Sequence, residues 1–171
     1  MNFLINFKEF KSNLFKKANV IFFTLVIITF LLDRLTKLKI INNYNESPYY
    51  VNDYLNFDLI WNIGIGFGFL SSSSSIIYNS ITIIIAVVIL ILFYLSLISN
   101  NLDKFIYSII IGGALGNFYD RITYKAVPDF IDLHVNNFHW FIFNVADIFI
   151  TLGVIFMILL EFFGNKDNVN S

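Results

Sequence analysis

The sequence predicts an all-α membrane protein, a four-transmembrane-helix bundle carrying a small β-rich extracytoplasmic lobe, and three observations carry that prediction. The 171 residues are 57% hydrophobic and only 13% charged, against about 25% charged in an ordinary soluble domain. The mean hydropathy is +0.72, so there is more apolar surface than a core can absorb, and lipid must cover the rest. The apolar residues gather into stretches near 18–40, 76–99, 105–124 and 141–162, separated by two aromatic- and Asn-rich segments near 42–70 and 125–140. The whole reads as a single membrane-embedded domain.

The elements follow in chain order. Lys8, Lys11, Lys16 and Lys17 precede the first apolar run and read as a cytoplasmic topology anchor. The uncharged part of that run, Ala18–Leu32, is followed by Asp33-Arg34 with no small-residue cleavage site, so it is expected to be a retained span. It is shorter than the ~20 residues a span needs, so the helix must carry Asp33, Arg34 and Lys37 to the interface or into the protein. The segment 42–70 forms the outer lobe; Tyr54–Trp61 alternates imperfectly and is expected to form strands. The serine run 71–75 then supplies a helix N-terminus for the second span. Asn100–Lys104 is short enough to make spans two and three antiparallel neighbours. The outer segment 125–140 is read as a loop, and span four follows it.

An even number of spans puts both termini on one side, with Lys8, Lys11, Lys16, Lys17, Lys104 and Lys166; the other side holds Arg34, Lys37, Lys39, Arg121 and Lys125. The first helix usually dominates, which places the termini in the cytoplasm and the two long segments outside. A net charge of −1 and the lack of a basic stripe beyond the N-terminal tail point away from nucleic acid. The absence of cysteine excludes disulfides, thiolate metal sites and a Cys nucleophile.

An acid at the centre of a bilayer costs roughly 2.5–3.5 kcal/mol on insertion scales, so it needs a reason to be there. Asp33, Asp120, Asp129 and Asp147 all fall toward the outward side of this topology. Asp33 and Lys37, at i and i+4, share a helical face; they read either as a surface ion pair or as a brace with Lys37 reaching headgroups or a substrate carbonyl. Asn62 and Gly64 belong to a Gly-alternating stretch, 61–68, that allows close backbone approach. The run Gly112–Gly116 suits close helix packing. Beyond it, Arg121 is expected to keep Asp120 ionised, with Asn117 nearby. Pro128 makes Val127 extended and puts Asp129 just past a bend, with Asp132 an equal candidate on spacing alone. Asp147, about six residues into the fourth span, lacks a nearby cation and is expected to seek a partner, which a second carboxylate sharing one proton would provide. His134 and His139 lack a third ligand at metal-site spacing and read as interfacial.

Taken together, Asp33-Arg34-x-x-Lys37, Asn62-x-Gly64-x-x-Phe67, Gly112-Gly113-Ala114-x-Gly116-Asn117-x-x-Asp120-Arg121, Val127-x-Asp129-Phe130 and Phe143-Asn144-x-Ala146-Asp147 resemble the motifs of the lipoprotein signal peptidase family, over about residues 18–163. Pro128 departs from the apolar residue expected there. The resemblance implies an aspartic endopeptidase of the bacterial inner membrane that needs no cofactor and no metal; a monomer is expected. It implies Asp129 and Asp147 as catalytic dyad, which breaks the tie with Asp132. Asp33, Lys37, Asn62, Gly64, Asn117, Asp120, Arg121 and Asn144 are implied as supporting or substrate-contacting residues. The implied substrates are prolipoproteins bearing a diacylglyceryl cysteine, cut just before that cysteine among membrane lipids at the outer face. Two other classes fit the acids alone: an ion-coupled transporter using Asp147 and Asp120, and a non-catalytic scaffold in which the acids only pack helices.

Overall fold

The computed structural model describes residues 16–64 and 75–164. Phe67, the glycines Gly66 and Gly68, the serine run and Lys8, Lys11 and Lys166 lie outside the described residues, apart from the backbone of Ser75 at the start of a helix. The chain order is α1 (Lys17–Asn43), β1 (Tyr49–Asn52), β2 (Leu55–Asn62), α2 (Ser75–Ile98), α3 (Asn101–Tyr124), β3 (Val127–Val135), β4 (Phe138–Phe143) and α4 (Val145–Gly164).

Three of these helices, α1, α2 and α4, are long and apolar enough to cross a membrane. The 24-residue α3 is long enough, but Gly112, Gly113, Gly116, Asn117, Asp120 and Arg121 dilute its apolar run. It is instead the central helix, packed against α1, α2 and α4. Its small residues make this possible: a Cβ on Gly112 would sit 2.6 Å from Thr29 Cβ of α1, and one on Gly113 would sit 2.8 Å from the Ala146 carbonyl oxygen of α4. Phe22, Ile89 and Ile111 form a buried cluster where α1, α2 and α3 meet. The outer faces remain apolar and open. On α2, Ile83, Ile84, Leu90 and Ile91 are all more than half exposed, a surface that water would not tolerate but lipid suits.

The segment 125–140, expected as a loop, is largely strand. Together with 42–70 it forms one four-stranded antiparallel sheet in the order β1-β2-β3-β4. A left-handed Lys125 (φ 59°) ends α3 and turns the chain into β3. Pro128 lies within that strand, not at a bend, opposite Trp61 of β2. Pairing with β4 begins only at Ile131, so the missing N–H of Pro128 breaks no ladder bond on that side. The fourth helix starts at Val145 rather than 141 because β4 continues to Phe143. Asp147 is therefore in the first turn of α4, not deep within a span. The sheet leaves Tyr50, Tyr54, Phe138 and Trp140 more than half exposed, the composition of an interfacial aromatic belt.

Candidate active site

The site forms where the C-terminal ends of α1 and α3 meet the start of α4 and the adjoining strands. Two polar clusters of opposite character lie side by side there.

The first is built around ion pairs. Lys37 is completely buried. Its Nζ donates to Asp33 Oδ2 at 2.7 Å and to Asn117 Oδ1 at 2.8 Å, and pairs with Asp120 Oδ2 at 2.7 Å. All three partners are buried side chains within 2.8 Å, so the Lys37 ammonium is held inside the protein, the arrangement expected of a brace and not of a group reaching headgroups or substrate. Arg34 caps the cluster by pairing with Asp120, its guanidinium 4.6 Å from the centre of the Tyr119 ring. Arg34 and Lys37 therefore neutralise Asp120, where Arg121 had been expected to. Arg121 turns instead to backbone oxygens, donating to Gly64 O at 2.7 Å and to Asn117 O at 3.2 Å. The remaining oxygen of Asp33 accepts from the Ala146 N–H at 3.0 Å, an anion placed on a free donor at the start of α4.

The second cluster holds two carboxylates with no cation bonded to either among the described residues. Asp129, buried on β3, accepts from Asn144 Nδ2 at 2.5 Å and from Asn62 Nδ2 at 2.8 Å. Asp147 accepts from Asn117 Nδ2 at 2.8 Å and from the Asn144 N–H at 3.1 Å. Asn144 thus touches both acids. Its own Oδ1 accepts from the Asp147 N–H at 3.1 Å, which makes Asn144 and Asp147 a reciprocal capping box on α4. Gly64 closes the Asn62 side by donating its N–H to Asn62 Oδ1 at 2.8 Å. Burial and the neighbouring charge of Asp147 push the Asp129 carboxyl up to about 7. Asn117 joins the two clusters, accepting from Lys37 and donating to Asp147.

Asp132 goes elsewhere. Three residues after Asp129 on a strand, it points to the opposite face, where it meets His139 Nδ1 at 2.9 Å. Arg34 and the third ligand-type group beside the two histidines were not anticipated from sequence. The i, i+3 spacing of Arg34 and Lys37 was the available signal for the first; only strand register could reveal the second. Asp147 also borders two apolar hollows. One, of about 420 Å³, lies among α2, α3 and α4 and includes Ile85, Ile89, Ile110 and Val154. The other is lined by Leu133, Trp140, Phe143 and Leu152.

Residues 25–163 match the family model described as signal peptidase (SPase) II. A lipoprotein signal peptidase of Pelagibacter ubique (strain HTCC1062) is 47% identical over 169 residues, covering 97% of this chain and 96% of that protein. One from Rickettsia prowazekii (strain Madrid E) is 38% identical, covering 89% of this chain and 78% of the relative. Two solved bacterial membrane enzyme structures superpose with TM-scores of 0.77 and 0.70 at 26% and 28% identity; they cover 88% and 85% of this chain and are themselves covered to 92% and 93%. The chain belongs to the signal peptidase II family.

Proposed function

We propose that this protein removes signal peptides from prolipoproteins by aspartic catalysis, with Asp129 and Asp147 as the dyad. Membership of the signal peptidase II family makes it a peptidase, and hence a hydrolase; neither a transporter nor a scaffold has comparable support. The observation that carries the catalytic reading is Asn144, whose side chain and backbone each donate to one of two acids that no cation neutralises among the described residues.

Two neighbouring carboxylates resist double ionisation and titrate as a pair. Asp129 is raised to about 7 by burial and by the charge of Asp147, and the reaction is written with the pair's one shared proton on Asp129. Asp147 takes a proton from water as the water oxygen bonds to the scissile carbonyl carbon. Asp129 gives its proton to the carbonyl oxygen. The tetrahedral intermediate then collapses: the C–N bond breaks, the proton held by Asp147 passes to the leaving amine, and the hydroxyl proton returns to Asp129. The products are the signal peptide with a new carboxyl terminus and a lipid-modified cysteine with a free amine.

All four helices cross the bacterial inner membrane in this reading, α3 being shielded from lipid by its neighbours. The termini are cytoplasmic, the sheet lies on the outer surface, and the enzyme acts as a monomer without a cofactor. The apolar hollows beside Asp147 suit a signal helix and acyl chains lying in lipid. Supporting residues act through position: Asn62, Asn117 and Asn144 aim the acids, Asp33, Lys37 and Asp120 lock α1 to α3, and Arg121 holds Gly64.

The test is a gel assay on a diacylglyceryl-modified prolipoprotein. Asp129→Asn and Asp147→Asn are each expected to lower the cleavage rate by at least ~10²-fold, the scale of lost acid–base catalysis, with folding unchanged. A folded variant that cleaves at the parental rate removes that residue from the dyad.

A further inference from the structure

On the face of β3 opposite the dyad, Asp132, His134 and His139 bring their ligand-type atoms within 4.8 Å of one another. The hairpin register creates this group. Pairing shifts by one residue between Asp132 and His134, which puts His139 directly across from His134. Their rings stack with centroids 5.1 Å apart and planes 24° from parallel. Both Nδ1 atoms approach the Asp132 carboxylate, that of His139 at 2.9 Å and that of His134 at 3.7 Å.

The hydrogen bonding around the group is incomplete. Asp132 is buried. The side chain of His134 is 10% exposed, and its Nδ1 has no hydrogen-bond partner. Asn56 is the direct cross-strand neighbour of Asp132, so its side chain shares that face of the sheet, and its buried Oδ1 is also unpartnered. Buried polar atoms are nearly always satisfied. On this face the His134 Nδ1 and the Asn56 Oδ1 are thus both left without a partner, and a cation held between the two imidazoles and the Asp132 carboxylate would engage the first of them.

We propose that Asp132, His134 and His139 form a binding site for a divalent transition-metal ion of the Zn²⁺ type, separate from the peptidase dyad. Two imidazoles and a carboxylate are a known zinc ligand set, with a fourth position left for water. Tetrahedral zinc holds its ligands ~2 Å from the ion and hence ~3.3 Å from each other. The site must contract slightly, and His139, 54% exposed, is free to swing inward. The ion would pin β4 to β3. Asp129 lies on β3, and β4 leads directly into Asn144 and Asp147, so the hairpin joins the two halves of the acid pair. The metal takes no part in hydrolysis.

The experiment uses the full-length protein in detergent, with any affinity tag removed and stripped by EDTA. Calorimetric titration with ZnCl₂ is expected to show one ion per chain and a raised thermal midpoint. Co²⁺ is expected to give the visible absorption of a tetrahedral site. His139→Ala alters a half-exposed side chain and leaves the fold intact; it should weaken binding by more than the ~10–100-fold typical of losing an outer-shell partner and abolish the thermal shift. His139→Cys, which offers a thiolate, should restore binding and add a sulfur-to-cobalt charge-transfer band. No bound zinc in the parent, or equal affinity in parent and His139→Ala, overturns the proposal whatever the peptidase activity.

Discussion

Four acids converge on one end of this bundle, and their neighbours divide them into two kinds. Asp33 and Asp120 bond to cations, whereas Asp129 and Asp147 are held by asparagine side chains and a backbone N–H. A cation fixes a carboxylate as an anion; an amide holds it in place and leaves the proton exchangeable. The raised Asp129 therefore has a consequence for stability. Its folded value of about 7 lies above the ~3.9 of an unfolded aspartate. Between these values the folded chain holds a proton that the unfolded chain has lost, so stability falls as pH rises from about 4 to about 7, by at most of order 4 kcal/mol. Asp129→Asn removes that ionisation. It is expected to melt at a higher temperature than the parent at pH 8 and to show a flatter dependence on pH, while losing activity. A mutant that melts lower at pH 8 would show that the carboxylate is held for structure. The parental kcat/KM is expected to decline as pH rises through about 7, when the pair gives up its one proton. Lys37 sits on the other side of the division. Lys37→Ala leaves buried Asp33 without a cation and Asp120 with Arg34 alone, and is expected to cost about 3–5 kcal/mol, read as a lowered thermal midpoint in detergent. The opposite signs expected for Asp129→Asn and Lys37→Ala separate a reactive acid from a brace. The motifs made Asp33, Lys37, Asp120, Asp129 and Asp147 visible from sequence. The partners of Asp120 were not visible, because Arg121 is its chain neighbour whereas Arg34 and Lys37 reach it from another helix.

At the scale of elements, the geometry depends on how α4 begins and how closely α3 lies to α1 and α4. The capping box between Asn144 and Asp147 fixes the first turn of α4, so a local helix-starting device also aims one acid of the pair. The apolar pattern placed this helix start at 141. Phe141, Ile142 and Phe143 suit a span as well as a strand, and only pairing with β3 decides between them. For the same reason 125–140 reads as a loop in isolation: β3 is fixed as a strand by pairing on both sides, with the adjacent β4 and with the distant β2. Asn136, left-handed at φ 53°, turns β3 into β4 as an asparagine can. The glycines of α3 were legible as packing residues, and each has a definite neighbour. A Cβ on Gly116 would meet the Asp33 carboxylate, which Lys37 and the Ala146 N–H already hold in place. Gly116→Ala is therefore expected to cost about 1–3 kcal/mol, the usual range for overpacking, and to reduce cleavage by disturbing the start of α4 through Asp33. Thermal melting and the gel assay check both parts. An unaffected rate would uncouple Asp33 from the acid pair.

For the molecule as a whole, the polar machinery gathers at one end of an otherwise apolar bundle, under an aromatic-rimmed sheet. A peptide-cleaving site in a membrane needs water from one side and lipid-soluble substrate from the other, and in the proposed arrangement the boundary between sheet and helices would supply both. The proposed direction of that end rests on the lysines ahead of the first helix, since the full count of basic residues, Lys8, Lys11, Lys16, Lys17, Lys104 and Lys166 against Arg34, Lys37, Lys39, Arg121 and Lys125, is nearly even. The absence of native cysteine makes a direct test simple. Tyr54, 65% exposed on the sheet side, and Asn101, exposed at the α2–α3 link, lie at opposite ends of the bundle. Single-cysteine variants Tyr54→Cys and Asn101→Cys can be treated with a membrane-impermeant maleimide on intact spheroplasts. Tyr54→Cys is expected to label at once, and Asn101→Cys only after the membrane is permeabilised. The reverse pattern would put the acid pair on the cytoplasmic side, away from exported prolipoproteins. Equal labelling of both without permeabilisation would place the two ends on the same side and rule out the proposed crossing by α2 and α3.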